Sequence, residues 1–291
     1  MFYAIKRMVF VILLLLIQNS IGQVTIGSNT AAAIQTKLIG DGLTLSSYYQ
    51  AQNSFAQRAA FTNGISAGLQ IDTGIILTTG TVNGGFLDGT NDATSTTSYS
   101  GAITPDSGTI TFHKYADTYD LLYDLAQIND LYDHHFLVLE VTLDSDATAI
   151  VMDVQYLSEE YNEKFCLDTD DLFGVWVEGV GITGSENIAK IPGFNDVIRV
   201  NTINDGSSAG CPTDDEDEQY LDNSVGTYEV EFDGLTKKLR LIKRGLVPGE
   251  TYIIRIAIAD QVDNQDDTAI VISAITGYED EDEDGVPNTD D

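Results

Sequence analysis

Eight short apolar segments follow one another between residues 136 and 276, and they constrain the fold more than any other feature of the sequence. Each is rich in β-branched or aromatic residues, and Ile254, Ile256 and Ile258 alternate with an arginine and two alanines. A period of two residues is typical of a strand with one buried face. Many short strands at near-regular spacing predict a mainly β fold, an antiparallel, jelly-roll-like β-sandwich with one or two short helices. The predicted strands are Phe136–Leu143, Ala149–Tyr156, Leu172–Val177, Val197–Ile203, Tyr228–Phe232, Leu235–Ile242, Thr251–Ala259 and Thr268–Thr276.

Two segments show helical rather than strand-like spacing. Asn29–Leu38 predicts a short helix that Ser28 or Asn29 can cap, and Tyr119–Leu131 carries five apolar residues at helical intervals. Between them, Gly74–Gly80 predicts a short strand bounded by glycines, and residues 83–109 predict a long surface loop.

The first 22 residues have the layout of a secretory signal peptide. Lys6 and Arg7 supply the positive start, Val9–Ile17 the apolar run, and the small residues that follow place the mature start at Gln23. The alternative is an interfacial or anchoring helix, although the run is too short to span a bilayer. We therefore expect a secreted or cell-surface protein.

The formal net charge of −32 limits the partners. Nucleic acids and anionic membrane surfaces require a basic footprint, which this composition does not provide. A strongly acidic chain instead favours solubility and the uptake of cations.

Two cysteines, Cys166 and Cys211, are present. In an exported protein an even number of cysteines favours a disulfide, and this one would stabilise the fold by roughly 3–4 kcal/mol. The alternative is two separate buried thiols.

The segment from Ser158 to Gly174 is the densest run of carboxylates between two predicted strands, and a second acidic run, Asp260–Asp267, follows another strand. Loops at one end of a sandwich bring strand ends together, and Ca²⁺ accepts six to eight oxygen ligands in irregular geometry. The sequence therefore predicts calcium here, and the alternative is a solvated acidic face. The candidate ligands are Glu159, Glu160, Asp170, Asp171, Asp260, Asp263 and Asp267, with Asp266 as an alternative to Asp263.

Residues 279–291 change character and are interpreted as an acidic linker after a domain that spans residues 23–278. Asp280, Asp282 and Asp284 stand at alternate positions before a glycine. We include these three as further candidate calcium ligands.

Catalytic interpretations are weaker. Gly64–Gly68 matches the nucleophile-elbow pattern, but that elbow needs a strand before it and a helix after it, and neither is clearly predicted. His134 and His135 are expected at a helix–strand junction, in a capping or exposed role.

A polysaccharide hydrolase would need an acid and a base or nucleophile at a set separation, which Glu159 or Glu160 could form with Asp171. Adjacent acids in a charge-dense loop usually serve a metal or solvent instead. Trp176 lies within a predicted strand and favours the core over a sugar-stacking platform.

Short motifs follow one another along the chain at Gly74–Gly80, Ser158–Tyr161, Asp171–Gly174, Asn187–Gly193, Val200–Asn204, Tyr228 with Phe232–Leu235, Pro248–Tyr252 and Ile256–Asp260. This ordered set resembles the choice-of-anchor L domain of exported bacterial proteins, many of them from Bacteroidota. The resemblance implies an exported surface protein of unknown activity. The tail, at Asp280, Asp282, Asp284, Asn288 and Asp291, resembles the start of a thrombospondin type 3 repeat, which implies calcium binding in the linker.

Together these observations predict a non-catalytic, calcium-stabilised extracellular binding or adhesion module. Its partner would be a glycan or a protein on a surface. The alternatives are a secreted hydrolase that uses a carboxylate pair and a purely structural stalk domain.

Overall fold

The computed structural model describes residues 23–50, 55–82, 113–126, 131–161, 164, 170–206, 218–262 and 266–280. Within them the helices are α1 (Ala31–Leu38) and α2 (His113–Ala126), with short 3-10 turns at Phe55–Gln57 and Ile65–Ala67. The strands are β1 (Thr25–Ile26), β2 (Leu43–Gln50), β3 (Arg58–Thr62), β4 (Gly74–Thr78), β5 (Leu131–Leu143), β6 (Ala149–Ser158), β7 (Leu172–Gly179), β8 (Glu186–Asn187), β9 (Tyr220–Asp222), β10 (Gly234–Thr236), β11 (Leu239–Lys243), β12 (Thr251–Gln261), β13 (Thr268–Ile272) and β14 (Thr276–Tyr278).

The described strands form two antiparallel sheets, which confirms the mainly β sandwich. The nine-stranded sheet has the order β1-β3-β4-β13-β6-β10-β9, and β11 and β14 also pair with β6. The five-stranded sheet has the order β2-β5-β12-β7-β8. Strand β6 thus organises one layer and β12 the other.

The interlayer core lies between the two sheets. Ile254, Ile256 and Ile258 of β12 face inward and are completely buried, as the alternation predicts. Ile270 and Ile272 of β13 meet them from the other layer within the same apolar cluster. Full burial of each such side chain contributes about 1.5–3 kcal/mol, so this double row stabilises the pairing of the layers.

Each sheet is also covered on its outer face. Helix α2 places Leu122 and Ala126 against Trp176 and Ala257, on the outside of the five-stranded sheet. Trp176 is only 4% exposed, which confirms the core interpretation. The outer face of the nine-stranded sheet packs against segments that include Leu69, Ile71, Val230 and Phe232.

The helices are predicted in the right regions with wrong bounds. Thr30, rather than Ser28 or Asn29, caps α1 by accepting a hydrogen bond from the Ala33 N–H at 3.4 Å. Helix α2 begins at His113 and ends at Ala126, and Leu131 begins β5 instead of ending a helix. Ladder pairing of Leu131 with Gln261 determines its conformation there, despite its helical spacing from the residues before it.

Two predicted strands are wrong. Segment 197–203 folds into local turns, in which the Thr202 hydroxyl donates to the Val197 carbonyl at 2.6 Å and the Ile203 N–H donates to the Arg199 carbonyl at 3.1 Å. Segment 228–232 is irregular, and the Asn223 side-chain amide satisfies two of its carbonyls. Most apolar residues of both segments are buried, but side chains and turns replace a neighbouring strand as hydrogen-bond partners of the backbone.

Strand β2 shows the opposite error. The sequence predicts no strand at Leu43–Gln50, because serine, tyrosine and glutamine interrupt its apolar residues. Pairing along β5 nevertheless makes it an edge strand. The signal-peptide residues 1–22, the predicted loop 83–109, and Cys166 and Cys211 lie outside the described residues, so those expectations stay predictions.

Neither α1 nor α2, the helices of the described part, is long and apolar enough to cross a lipid bilayer.

Candidate functional site

The inward-facing rows of both sheets change from apolar to polar at one end of the sandwich. In β12 the row of isoleucines continues to Asp260, and in β7 the row that holds Phe173 and Val175 begins with Asp171. The row of β6 continues past Tyr156 to Ser158 and Glu160. We call this region the acidic end and define it by six carboxyl side chains, each no more than 4% exposed: Asp133, Glu160, Asp170, Asp171, Asp260 and Asp267.

Asp171 and Asp260 lie on adjacent strands of the five-stranded sheet. The last β7–β12 pair joins Leu172 to Ala259, so one further step along the register puts Asp171 opposite Asp260. Like charges in directly opposed positions destabilise a sheet, so two opposed carboxyl groups are unusual in a buried site.

Asp171 is held by groups from both layers. Its Oδ1 accepts the Gln261 N–H at 3.2 Å, and its Oδ2 accepts the Thr268 hydroxyl of β13 at 2.5 Å. Burial raises the pKa of this carboxyl well above its usual range, although these two hydrogen bonds oppose the rise. Asp171 therefore ties the two sheets together at the acidic end.

Glu160 makes a second tie between the layers. Its Oε2 accepts the Asp171 N–H at 3.1 Å, while the Lys164 Nζ lies 4.0 Å from Oε1. Burial, followed by repulsion from Asp171, raises the pKa of Glu160 to about 11. The distant ammonium does not compensate for that repulsion, because Lys164 also pairs with Asp266 at 2.7 Å.

Asp170 has better partners than its neighbours. Arg199 Nη1 lies 3.4 Å from Oδ2, and the Asn201 N–H donates to Oδ1 at 3.2 Å. Burial raises the pKa of Asp170 to about 6, and Arg199 opposes the rise. Asp170 is therefore ionised at neutral pH.

Asp260 differs from the other acids of the group. It is completely buried, and neither of its carboxylate oxygens makes a hydrogen bond of good geometry to another described residue. Burial and then repulsion from Asp171 raise its pKa well above the usual range, with Asp267 and Asp133 adding to the effect. The nearby Thr79 hydroxyl lowers this pKa in part.

Asp133 was not among the sequence candidates. It lies in β5 at a bulge where Asp133 and His134 oppose the single residue Ala259, and its φ of 42° is in the left-handed region. A bulge redirects side chains locally, which is how a residue near the start of β5 reaches the group.

Gly80 lets the last carboxyl of the acidic end pack tightly. A Cβ at position 80 would lie 1.9 Å from Asp267 Oδ2, so a larger residue there would displace that carboxyl. Asp267 also accepts the Glu159 N–H through its backbone carbonyl at 3.1 Å.

The remaining sequence candidates are dispersed. Glu159 follows Leu157 in the alternation of β6 and therefore lies on the opposite side of the sheet from Glu160. Asp280 is at a separate place, where it pairs with Arg244 at 3.1 Å and its N–H donates to Thr148. Asp263, Asp282 and Asp284 lie outside the described residues.

The acidic end offers oxygen donors only, which suits hard cations such as Ca²⁺ and Mg²⁺. Among the residues that the structure describes, no three His, Cys, Asp or Glu side chains are placed as a ready coordination shell. Any site built here would use fewer carboxylates and complete its shell with hydroxyl, carbonyl or water oxygens.

The two neighbouring histidines lie within strand β5, where His135 is buried and His134 is half-buried, which corrects the expected junction role. His135 is 0% exposed in β5, with its Nε2 3.4 Å from Arg58 Nη1. Burial lowers the pKa of His134 to about 3 and that of His135 well below its usual value. Both rings are therefore neutral near pH 7.

Neither the nucleophile-elbow pattern nor the carboxylate pair lies in the structural setting that catalysis would need within the described residues. Ser66 is exposed in a single 3-10 turn that leads to β4 rather than to an α-helix. Glu160 and Asp171 are each 1% exposed, so a polysaccharide cannot reach this carboxylate pair in the conformation described.

One signal in the sequence could have separated these residues. If the alternation of each strand is extended past its last apolar residue, Glu160, Asp171 and Asp260 fall on the inner face of the sandwich and Glu159 falls on the outer face. Asp133 would still be missed, because the bulge interrupts the period of β5.

The family model of the choice-of-anchor L domain matches residues 21–276. The chain belongs to this family. No curated protein matches the chain. Choice-of-anchor domains are typical of exported surface proteins, so membership indicates a surface-associated, non-catalytic module.

Proposed function

We propose that the chain is a calcium-stabilised extracellular module that binds or adheres to a surface. Membership of the choice-of-anchor L family supports a surface-associated, non-catalytic role. The observation that carries the calcium proposal is the acidic end, where six carboxyl groups are each no more than 4% exposed and Glu160, Asp171 and Asp260 are repelled by neighbouring acids.

A divalent cation would offset the repulsion among these groups. Ionised carboxylates in a buried site are costly unless they are paired or bind a metal. In the protein without metal, part of that cost is met by protonation, since the pKa values of Glu160, Asp171 and Asp260 are raised by burial. Calcium would hold the loop end of the sandwich together without those protons.

The calcium part is tested by thermal unfolding of the full chain with calcium and with EGTA. A ligand at 100 times its Kd stabilises by about 2.7 kcal/mol, which corresponds to several degrees for a domain of this size. The tail acids are controlled by a variant that carries Asp282→Asn and Asp284→Asn. An equal midpoint in calcium and in EGTA would refute calcium stabilisation.

The binding part is tested by retention of the chain on insoluble cellulose, insoluble chitin and mucin-coated beads. Depletion of protein from the supernatant in calcium, without release of reducing sugars, supports a non-catalytic binding module. Release of reducing sugars would support the hydrolase instead. Failure to bind any of the three surfaces would favour a structural stalk.

A further inference from the structure

Asp260 has the least satisfied carboxyl group of the acidic end. It is fully buried on the inner face of β12, and within the described part of the chain neither of its oxygens makes a hydrogen bond of good geometry. Asp171, one register step beyond the last β7–β12 pair, stands opposite. This observation is independent of the crowding of acids, since Asp170, which is equally buried, is bonded by Arg199 and Asn201.

Buried polar groups without partners are rare in folded proteins, and each one needs an explanation. An unpaired buried charge costs several kcal/mol. The nearest groups worsen the problem, because Asp171, Asp267 and Asp133 all repel the charge on Asp260. The Thr79 hydroxyl acts in the opposite direction.

We propose that Asp260 and Asp171 are the two carboxylate ligands of a single hard divalent cation held between the layers of the sandwich. This inference rests on the calcium part of the proposed function and replaces its broad set of acids with one pair. A site with two carboxylates agrees with the lack of a ready three-acid group among the described residues.

The surrounding groups define the class of ion. Thr79 at the end of β4 and Thr268 at the start of β13 contribute hydroxyl oxygens on the same inner rows. Hydroxyl, carboxylate and water oxygens suit Ca²⁺ or Mg²⁺ rather than Zn²⁺, which favours nitrogen and sulfur. Calcium is favoured over magnesium, because ligands from separate strands give irregular geometry and magnesium demands a near-ideal octahedron.

The decisive variant is Asp260→Asn in the full chain, with Glu159→Gln as its matched control. Glu159 is an equally buried acid close by, but it lies on the opposite side of the sheet. Unfolding midpoints are measured for each protein in calcium, in magnesium and in EGTA. The quantity compared is the shift that each cation produces.

The proposed site predicts that Asp260→Asn changes the unfolding midpoint differently in EGTA and in calcium. In EGTA, Asp260→Asn raises the midpoint above that of the unmodified chain, because the variant avoids the cost of protonating a repelled carboxyl or of burying its charge. In calcium the variant loses most of the shift, while Glu159→Gln keeps it. A purely structural Asp260 would lower the midpoint equally in calcium and in EGTA.

Terbium luminescence gives a second readout that does not depend on stability. The Tyr156 hydroxyl lies 3.4 Å from the Asp171 carbonyl oxygen, so this ring is placed to sensitise a lanthanide bound by the pair. We expect sensitised terbium emission from the full chain, competition by calcium, and loss of most of the emission in Asp260→Asn. Equal emission from the variant would overturn the assignment.

The outcomes separate this inference from the function on which it rests. If calcium stabilises the unmodified chain and Asp260→Asn equally, the pair is wrong and calcium stabilisation stands. If calcium stabilises neither protein, calcium stabilisation itself fails and the site fails with it. If magnesium alone raises the unfolding midpoint, the Asp260–Asp171 pair stands as the site and magnesium is its ion.

Discussion

Two acidic regions of this molecule handle their carboxylates in opposite ways. Around strand β11, each acid faces a basic side chain: Asp153 meets Lys238 and Arg240, and Glu186 meets Lys243. At the acidic end, Asp260 faces other acids, and among the described residues its oxygens have no ion pair and no hydrogen bond of good geometry.

The difference shows in the direction of the pKa shifts. Burial raises the pKa of Asp153, but hydrogen bonds from Arg240 and Lys238 outweigh it and leave the pKa lowered. Burial and repulsion act together on Asp260 and raise its pKa. A charge-compensated acid contributes to stability on its own, whereas the acidic end depends on a proton or a cation.

The largest expected effect is the pH dependence of the free energy of unfolding in EGTA. It tests whether protons stabilise the acidic end when no metal is bound. The pKa of Glu160 is about 11 in the folded protein, well above the usual value of about 4.3 for an unfolded chain. The folded state therefore holds more protons between these values, and stability falls as pH rises. From pH 7 to pH 9 we expect Glu160 to account for a loss of about 1.4 kcal/mol per pH unit in the free energy of unfolding.

The two histidines limit the pH range in which the slope reports on Glu160. His134 and His135 have lowered pKa values in the folded protein, so their contribution to folding stability rises with pH up to about 6.5 and is constant above it. Glu160→Gln removes the main carboxyl and should flatten the slope measured by thermal unfolding. Asp171, Asp170, Lys164 and Tyr156, which surround Glu160, remain in the variant. An unchanged slope would show that Glu160 does not hold the proton.

A smaller effect should follow from breaking a compensated pair, with Arg244→Met. The Asp280 side chain is 0% exposed and would lose its ion-pair partner, while Arg244 itself is 35% exposed. Loss of a partner from a fully buried pair costs 3–5 kcal/mol, and solvent near Arg244 reduces the expected cost to about 2 kcal/mol.

The control is the double variant Arg244→Met with Asp280→Asn, which should recover much of the loss in urea unfolding. The loss should be the same with calcium and with EGTA. Rescue by calcium would instead indicate that Asp280 is a metal ligand, as the tail pattern predicts.

The smallest effect is expected for Asp153→Asn. Its partner Arg240 is 52% exposed and Lys238 is 39% exposed, so solvent and salt screen the interaction. We expect a loss below about 1 kcal/mol that decreases further at 1 M salt. A loss as large as that of Arg244→Met would mean that exposed pairs matter as much as buried ones in this fold.

Much of the sandwich was predictable because alternation reports burial directly. Ile254, Ile256 and Ile258 identify the inner face of β12, and the structure confirms it. Strand β2 was missed because its pairing with β5, rather than its own composition, makes it a strand. Segment 228–232 was overpredicted because its apolar residues are buried without a ladder, with Asn223 bonding its carbonyls.

The acidic end was predictable as a region but not as a set of contacts. Two acidic runs that each follow or precede a strand indicate that Glu160, Asp171 and Asp260 meet. Which acid has a partner depends on residues far away in the sequence. Asp170 meets Arg199 and Asp171 meets Thr268, and no local pattern encodes either contact.

The position of β13 has a consequence for how the chain acquires its structure. Strand β13 lies between β4 and β6, so among the described strands it is Thr268–Ile272 that joins residues near position 75 to residues near position 155 in one sheet. Ile275 adds a further bond between the ends of the domain, because its N–H donates to the Leu38 carbonyl at 2.7 Å. Contacts this distant in sequence fold slowly, since long loops must close first. A nascent chain that stops before Thr268 has no ladder to join its first strands to β6, and we expect the domain to fold only after almost all of it has been synthesised.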